Sequence, residues 1–143
     1  MNWPRRFLGL PLHPLLVHFP LVFWLCTPGL DVLALERQPQ PWWWLAVGFT
    51  AAGVAVGVFA LLTGLLDYVF LSETASNDVR LAARHGVRTA LVWCAMTGKL
   101  VMIALGDGGR TLIAGCLFAD LLICALLLQS VYLGTRIVYG GYR

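Results

Sequence analysis

The sequence predicts an all-α fold, a four-helix transmembrane bundle. Three observations carry this reading. The 143 residues are 59% hydrophobic and only 12% charged, whereas a soluble domain is about 45–50% apolar and about 25% charged. Mean hydropathy is +0.80, more apolar side chain than one small soluble domain keeps off its surface. The apolar residues fall into four long segments separated by short polar breaks, and each has the ~20 residues needed to cross ~30 Å of hydrocarbon. Strands of a membrane barrel would be about half as long and would alternate.

The chain reads as a single membrane domain spanning residues 1–143, with helices at about 12–35, 42–71, 85–105 and 111–133. The first segment ends at the polar, proline-bearing break Glu36-Arg37-Gln38-Pro39-Gln40-Pro41. The second opens on Trp42-Trp43-Trp44, an indole cluster suited to a membrane–water interface. A polar stretch, Ser72–Arg84, precedes the third. The turn Gly106-Asp107-Gly108-Gly109-Arg110 separates the third from the fourth. The N-terminus does not read as a cleaved signal peptide: Pro11, His13, Pro14 and His18 interrupt the apolar run, and no small-x-small site follows.

Orientation follows from the basic residues. With the N-terminus inside, Arg5, Arg6, Arg80, Arg84, Arg88, Arg136 and Arg143 face the cytoplasm, against Arg37 and Arg110 outside. That asymmetry predicts a multi-pass membrane protein with both termini in the cytoplasm. The net charge of +3, with no basic run, excludes nucleic acid as a partner and leaves the lipid bilayer. Cys26, Cys94, Cys116 and Cys124 all lie in apolar segments without a CxxC pair, and read as small hydrophobes. No P-loop, GxGxxG or GxSxG motif assigns an enzymatic reaction.

Polar residues in hydrocarbon are costly and are the first candidates for function. His13 and His18 open the first helix and His85 opens the third, so all three histidines fall near the cytoplasmic end. Imidazoles at one depth on two helices suit a metal ion or a haem iron; the alternative is interfacial side chains bonded to backbone or headgroups. His13 and His18, five residues apart, do not share a helical face. Pro14 suits a first helical position, and Pro20 frees the carbonyl of Leu16, so a kink is expected near His18.

On the second helix Ala46, Thr50, Gly53, Gly57, Ala60, Gly64 and Asp67 recur at alternating spacings of four and three, one face of a helix. Gly53-x-x-x-Gly57 suits close helix packing. The absent side chains would also leave room for a flat macrocycle, and Asp67 at the end of the stripe could orient a histidine ring or pair with Arg80, Arg84 or Arg88. Asp31, Lys99 and Asp120 fall in the outer half. Lys99 and Asp120 come at comparable depth and read as an intramembrane ion pair, structural or part of a proton or anion path.

The run His13-Pro14-Leu15-Leu16-Val17-His18-Phe19-Pro20 resembles the opening HPxxVHFP signature of domain-of-unknown-function family 2231, a bacterial family of four-helix membrane proteins. Thr63-Gly64-Leu65-Leu66-Asp67, His85 and Gly134-x-x-Ile137-Val138-Tyr139 extend the resemblance over nearly the whole chain. The family is similar in layout to small membrane b-type cytochromes, which implies haem b and electron transport. Its members often carry a histidine after the final Val-Tyr; Gly140 stands there in this chain, which limits the protein to one bis-histidine haem.

Three functions follow as expectations. The first is a haem-binding electron-transfer protein or subunit, with His85 and His18 (His13 as the alternative) as axial ligands and Asp67 behind them. Its partner would be a quinol or a redox protein. The second is a non-haem metal site for Zn, Fe or Cu built from His13, His18, His85 and Asp67. The third is a cofactor-free accessory subunit of a larger membrane complex. A homo-oligomer is compatible with each.

Overall fold

The structure is a computed structural model. It describes the backbone of residues 6–7, 10–37, 39–71 and 76–139, and the side chains of 12–37, 39–69 and 79–137. Among these residues a two-residue antiparallel ladder, β1 (Arg6–Phe7) with β2 (Leu10–Pro11), leads into four helices: α1 (Leu12–Glu36), α2 (Pro39–Leu71), α3 (Ser76–Leu105) and α4 (Arg110–Tyr139). All four helices are long and apolar enough to cross a membrane. Each packs against its neighbours in chain order, and α4 returns against α1, which closes an up-down-up-down bundle.

The buried positions explain the packing. On α1, Trp24, Thr27, Asp31 and Ala34 are buried, and the same rhythm runs back through Pro20 and Val17 to His13. α2 buries Trp43, Ala46, Thr50, Gly53, Gly57 and Ala60. α3 buries Val92, Met96 and Lys99, in step with Thr89 and His85. α4 buries Ile113, Cys116, Asp120, Ile123, Leu127 and Ser130. Every stripe alternates steps of three and four, which is a seven-residue repeat. That period keeps one seam of each helix facing its partners in a left-handed bundle. The outward faces are the large apolar ones: Phe19, Val22, Phe59, Leu62, Phe118 and Leu121 are more than half exposed, as lipid-facing residues are.

Small residues on α2 admit large ones from its neighbours. Trp24 of α1 lies against Gly53, so close that a Cβ there would overlap the indole. A Cβ at Gly57 would come within 2.8 Å of Trp93 Cδ1 on α3. The indole N–H groups donate to α2 carbonyls, Trp24 to Thr50 at 3.4 Å and Trp93 to Val54 at 2.9 Å. The glycine face thus serves the close helix packing its spacing suggests, and the room it could have left for a macrocycle is filled by side chains of the protein itself.

α1 continues through Pro20 and Pro28. Pro28 has no N–H for the carbonyl of Trp24. Thr27 Oγ1 donates to that oxygen at 2.9 Å, and Cys124 Sγ approaches it at 3.6 Å. In hydrocarbon a freed carbonyl has to find such partners, because no water is there to bond it. α2 enters through an extended Gln40 (φ −87°, ψ 139°) and a cis Gln40–Pro41 peptide.

Two boundaries differ from the sequence reading. α3 begins at Ser76, although the polar stretch 72–84 was expected to be a break. Polarity ends a membrane span, not a helix: residues 76–85 contain neither Gly nor Pro, so helix continues out of the apolar zone. α4 likewise runs on to Tyr139 rather than ending near 133. The α3–α4 turn is held by Asp107 Oδ1, which accepts from the Gly109 N–H at 2.9 Å, and by Gly108 at φ +71°, a conformation open to glycine.

Candidate functional site

Two polar levels interrupt the apolar interior. The first lies at the start of α1 and nine residues into α3, which begins at Ser76 rather than at His85. His13 of α1 and His85 of α3 come together there, ring centroids 6.4 Å apart and planes at 79°. Each ring is anchored on the opposite side of the bundle. His13 Nδ1 lies 2.9 Å from the Ala60 carbonyl oxygen of α2, and His85 Nδ1 lies 2.8 Å from the Ser130 carbonyl oxygen of α4. A carbonyl only accepts, so Nδ1 carries the proton in both rings. In the neutral imidazoles this leaves Nε2 as the lone-pair nitrogen.

Hydroxyls and glycines complete the setting. Thr63 Oγ1, bonded to the Phe59 and Ala60 carbonyls, stands 3.5 Å from His13 Nδ1. Ser130 Oγ lies 3.2 Å from His85 Nδ1 and 2.7 Å from Thr89 Oγ1, which in turn donates to the His85 carbonyl. Gly64 and Gly134 make room for the rings: a Cβ would come within 2.7 Å of His13 Cε1 at the first and 3.2 Å of His85 Cε1 at the second.

His18 lies elsewhere. It is exposed on the outer face of α1, and its Nδ1 donates to the Pro14 carbonyl one turn back at 2.5 Å. The structure thus brings His85 to His13 and turns His18 outward. Asp67, half-buried, lies one turn beyond Gly64 on α2. Among the described residues no group of three or more His, Cys, Asp or Glu side chains is placed to hold a metal ion, so His13, His18, His85 and Asp67 do not form one coordination set.

The second level lies nearer the turns that join α1 to α2 and α3 to α4. Lys99 Nζ of α3 donates to Asp120 Oδ2 of α4 at 2.7 Å and to Asp31 Oδ2 of α1 at 3.2 Å. The sequence reading paired Lys99 with Asp120 alone; Asp31 joins them because it falls on the buried stripe of α1. Between the two levels Trp24, Val92, Met96, Ile123 and Leu127 form an apolar layer. The sequence reading names Thr63 only as part of the run Thr63–Asp67 and does not name Thr89 and Ser130; the three hydroxyls stand out only once the facing helices are in register.

Fold and polar levels together define an integral membrane protein, a four-helix bundle with ionisable residues in its interior. The chain belongs to the predicted membrane protein family DUF2231, which it matches over residues 9–141. No curated protein and no solved structure matches it.

Proposed function

We propose that the chain is a haem-binding electron-transfer protein or subunit of the b-cytochrome kind, in which His13 and His85 would hold the iron. The supporting observation is the pair itself. Two imidazoles reach one place from different helices, and each has its Nδ1 tied to a backbone carbonyl, the arrangement that fixes the tautomer and orientation of a ligating histidine. Their ring centroids, 6.4 Å apart, put two nitrogen donors at one level of the bundle. Two neutral imidazoles are a donor set that would suit a haem iron. The small-residue face of α2 does not supply the macrocycle's place, since Trp24, Trp93 and His13 fill it.

Bound haem would supply a reversible one-electron couple. The chain's own part is positional. The Ala60 and Ser130 carbonyls orient the two rings, Gly64 and Gly134 admit them, and the Thr89–Ser130 contact braces the His85 side. A quinol or a redox protein is the partner this reading calls for. The seven-to-two arginine asymmetry favours termini on the cytoplasmic side of a bacterial inner membrane.

A second reading has its own support. The glycine face is packed by the protein's own rings, a use of small residues that calls for no cofactor on that face and suits an accessory subunit of a larger complex. An absorption spectrum of protein grown with ample haem, oxidised and then reduced with dithionite, separates the two. A Soret band with sharp reduced α and β bands, lost in His13→Ala and His85→Ala and kept in His18→Ala, supports the haem reading. A featureless spectrum overturns it in favour of the accessory subunit. Bound Zn, Fe or Cu without porphyrin would instead put a non-haem ion between the imidazoles.

A further inference from the structure

Asp31, Lys99 and Asp120 come from three helices to one level of the interior, with relative exposures of 0%, 2% and 0%. The Lys99 ammonium reaches one oxygen of each carboxylate. The other oxygens, Asp31 Oδ1 and Asp120 Oδ1, are buried without a hydrogen-bond partner. Native interiors rarely leave a charged acceptor in that condition, since an orphaned buried acceptor bears its full desolvation cost.

Charge counting sharpens the point. Two ionised carboxylates against one ammonium leave a net negative charge in the membrane interior, where ionisable groups persist only when balanced. Among the described residues no other at this level supplies the balance. The inward face of α2 carries Trp43, Ala46 and Thr50 in this half of the bundle, none of them ionisable. Cys116 and Cys124, one turn to either side of Asp120, are acids rather than cations. A metal cation is disfavoured because the Lys99 ammonium already holds the place between the two carboxylates.

We propose that the triad is a proton-binding site, in which Asp31 and Asp120 hold one exchangeable proton between them and Lys99 is balanced by the single remaining carboxylate. A proton on either carboxyl group leaves one carboxylate against one ammonium and makes the cluster neutral, which removes the charge from one of the two orphaned acceptors. The site is closed on both sides, by the layer of Trp24, Val92, Met96, Ile123 and Leu127 and by the cluster of Ala34, Trp43, Ile113 and Cys116. The proton therefore exchanges only slowly with water. This holds whether or not the histidine end binds haem.

Infrared spectroscopy of the full chain in phosphatidylcholine bilayers tests it. In potassium buffer at neutral pH the wild type is expected to show a carboxylic-acid carbonyl band that shifts slowly in D2O. Asp31→Asn and Asp120→Asn should each abolish that band, because the one remaining carboxylate balances Lys99. Lys99→Met should raise it about twofold, because both acids then take a proton. Absence of the band in the wild type overturns the proposal without any variant. So does its survival in both asparagine variants, or its loss on replacing potassium by sodium, which would place a metal cation in the site.

Discussion

Trp24 and Trp93 dock on the same face of α2 one turn apart, each indole N–H directed to a helix carbonyl and each ring lying against a glycine. The two tryptophans come from α1 and α3, so a single glycine-bearing face ties three helices together. Shape sets this layer more than hydrogen bonding does, since the Trp24 bond is long at 3.4 Å.

The first prediction follows from that fit. Gly53→Leu forces Trp24 out of its place and should destabilise the bundle by about 1–3 kcal/mol or more, the usual cost of overpacking. Gly48→Ala, where an added Cβ meets nothing within 4 Å, should be neutral or slightly stabilising. Thermal unfolding of both variants in one detergent compares them; equal melting temperatures would show that the glycine face is not a packing surface.

Gly64 and Gly134 differ in how closely they hold the histidines. An added Cβ comes nearer His13 at Gly64 than His85 at Gly134. Under the proposed haem reading, Gly64→Ala should therefore perturb the reduced α band more than Gly134→Ala, in position or in yield per chain. The reverse order would place the more tightly constrained ligand on α3.

Thr27 spends its hydroxyl on the carbonyl that Pro28 leaves without a donor. Thr27→Val keeps the volume and removes the bond. The expected cost is about 1 kcal/mol, within the range measured for hydrogen bonds among membrane helices. Thr27→Ser should recover most of it, and a Ser variant no better than Val would mean that methyl packing, not the hydroxyl, is what matters. Equilibrium unfolding in mixed micelles reads the difference.

Lys99→Ala leaves two carboxyl groups without their cation. Breaking a buried ionic cluster by removing one partner costs about 3–5 kcal/mol. Removing all the charge together, in Lys99→Met with Asp31→Asn and Asp120→Asn, should return much of that loss, because no uncompensated group remains. A triple variant as unstable as the single one would show that shape rather than charge governs this level.

The four helices were legible because hydrocarbon imposes one requirement on every span, length with apolar composition, and all four segments meet it. Rotation about each helix axis was less so. His18 was favoured as the partner of His85, yet His13 is the one on the inward stripe of α1. The signal was present: stepping back from Asp31 by four and three passes Thr27, Trp24, Pro20 and Val17 and arrives at His13, while His18 falls beside the lipid-facing Phe19. The same stripe places Asp31 with Lys99 and Asp120. The partners of the histidine Nδ1 atoms were not legible, because Ala60 and Ser130 contribute backbone oxygens, and every residue type carries one.

The apolar layer between the histidines and the triad has an electrical consequence. His85 and Lys99 are 14 residues apart on one helix, about 21 Å at the helical rise, a large share of the hydrocarbon thickness. In an energised membrane much of the voltage drops across that interval, at about 2.3 kcal/mol per elementary charge per 100 mV. The two polar levels thus sit at different potentials, like plates on either side of an insulator. A unit of charge taken up at one end is felt differently from one taken up at the other, and the field across the membrane biases the two levels separately.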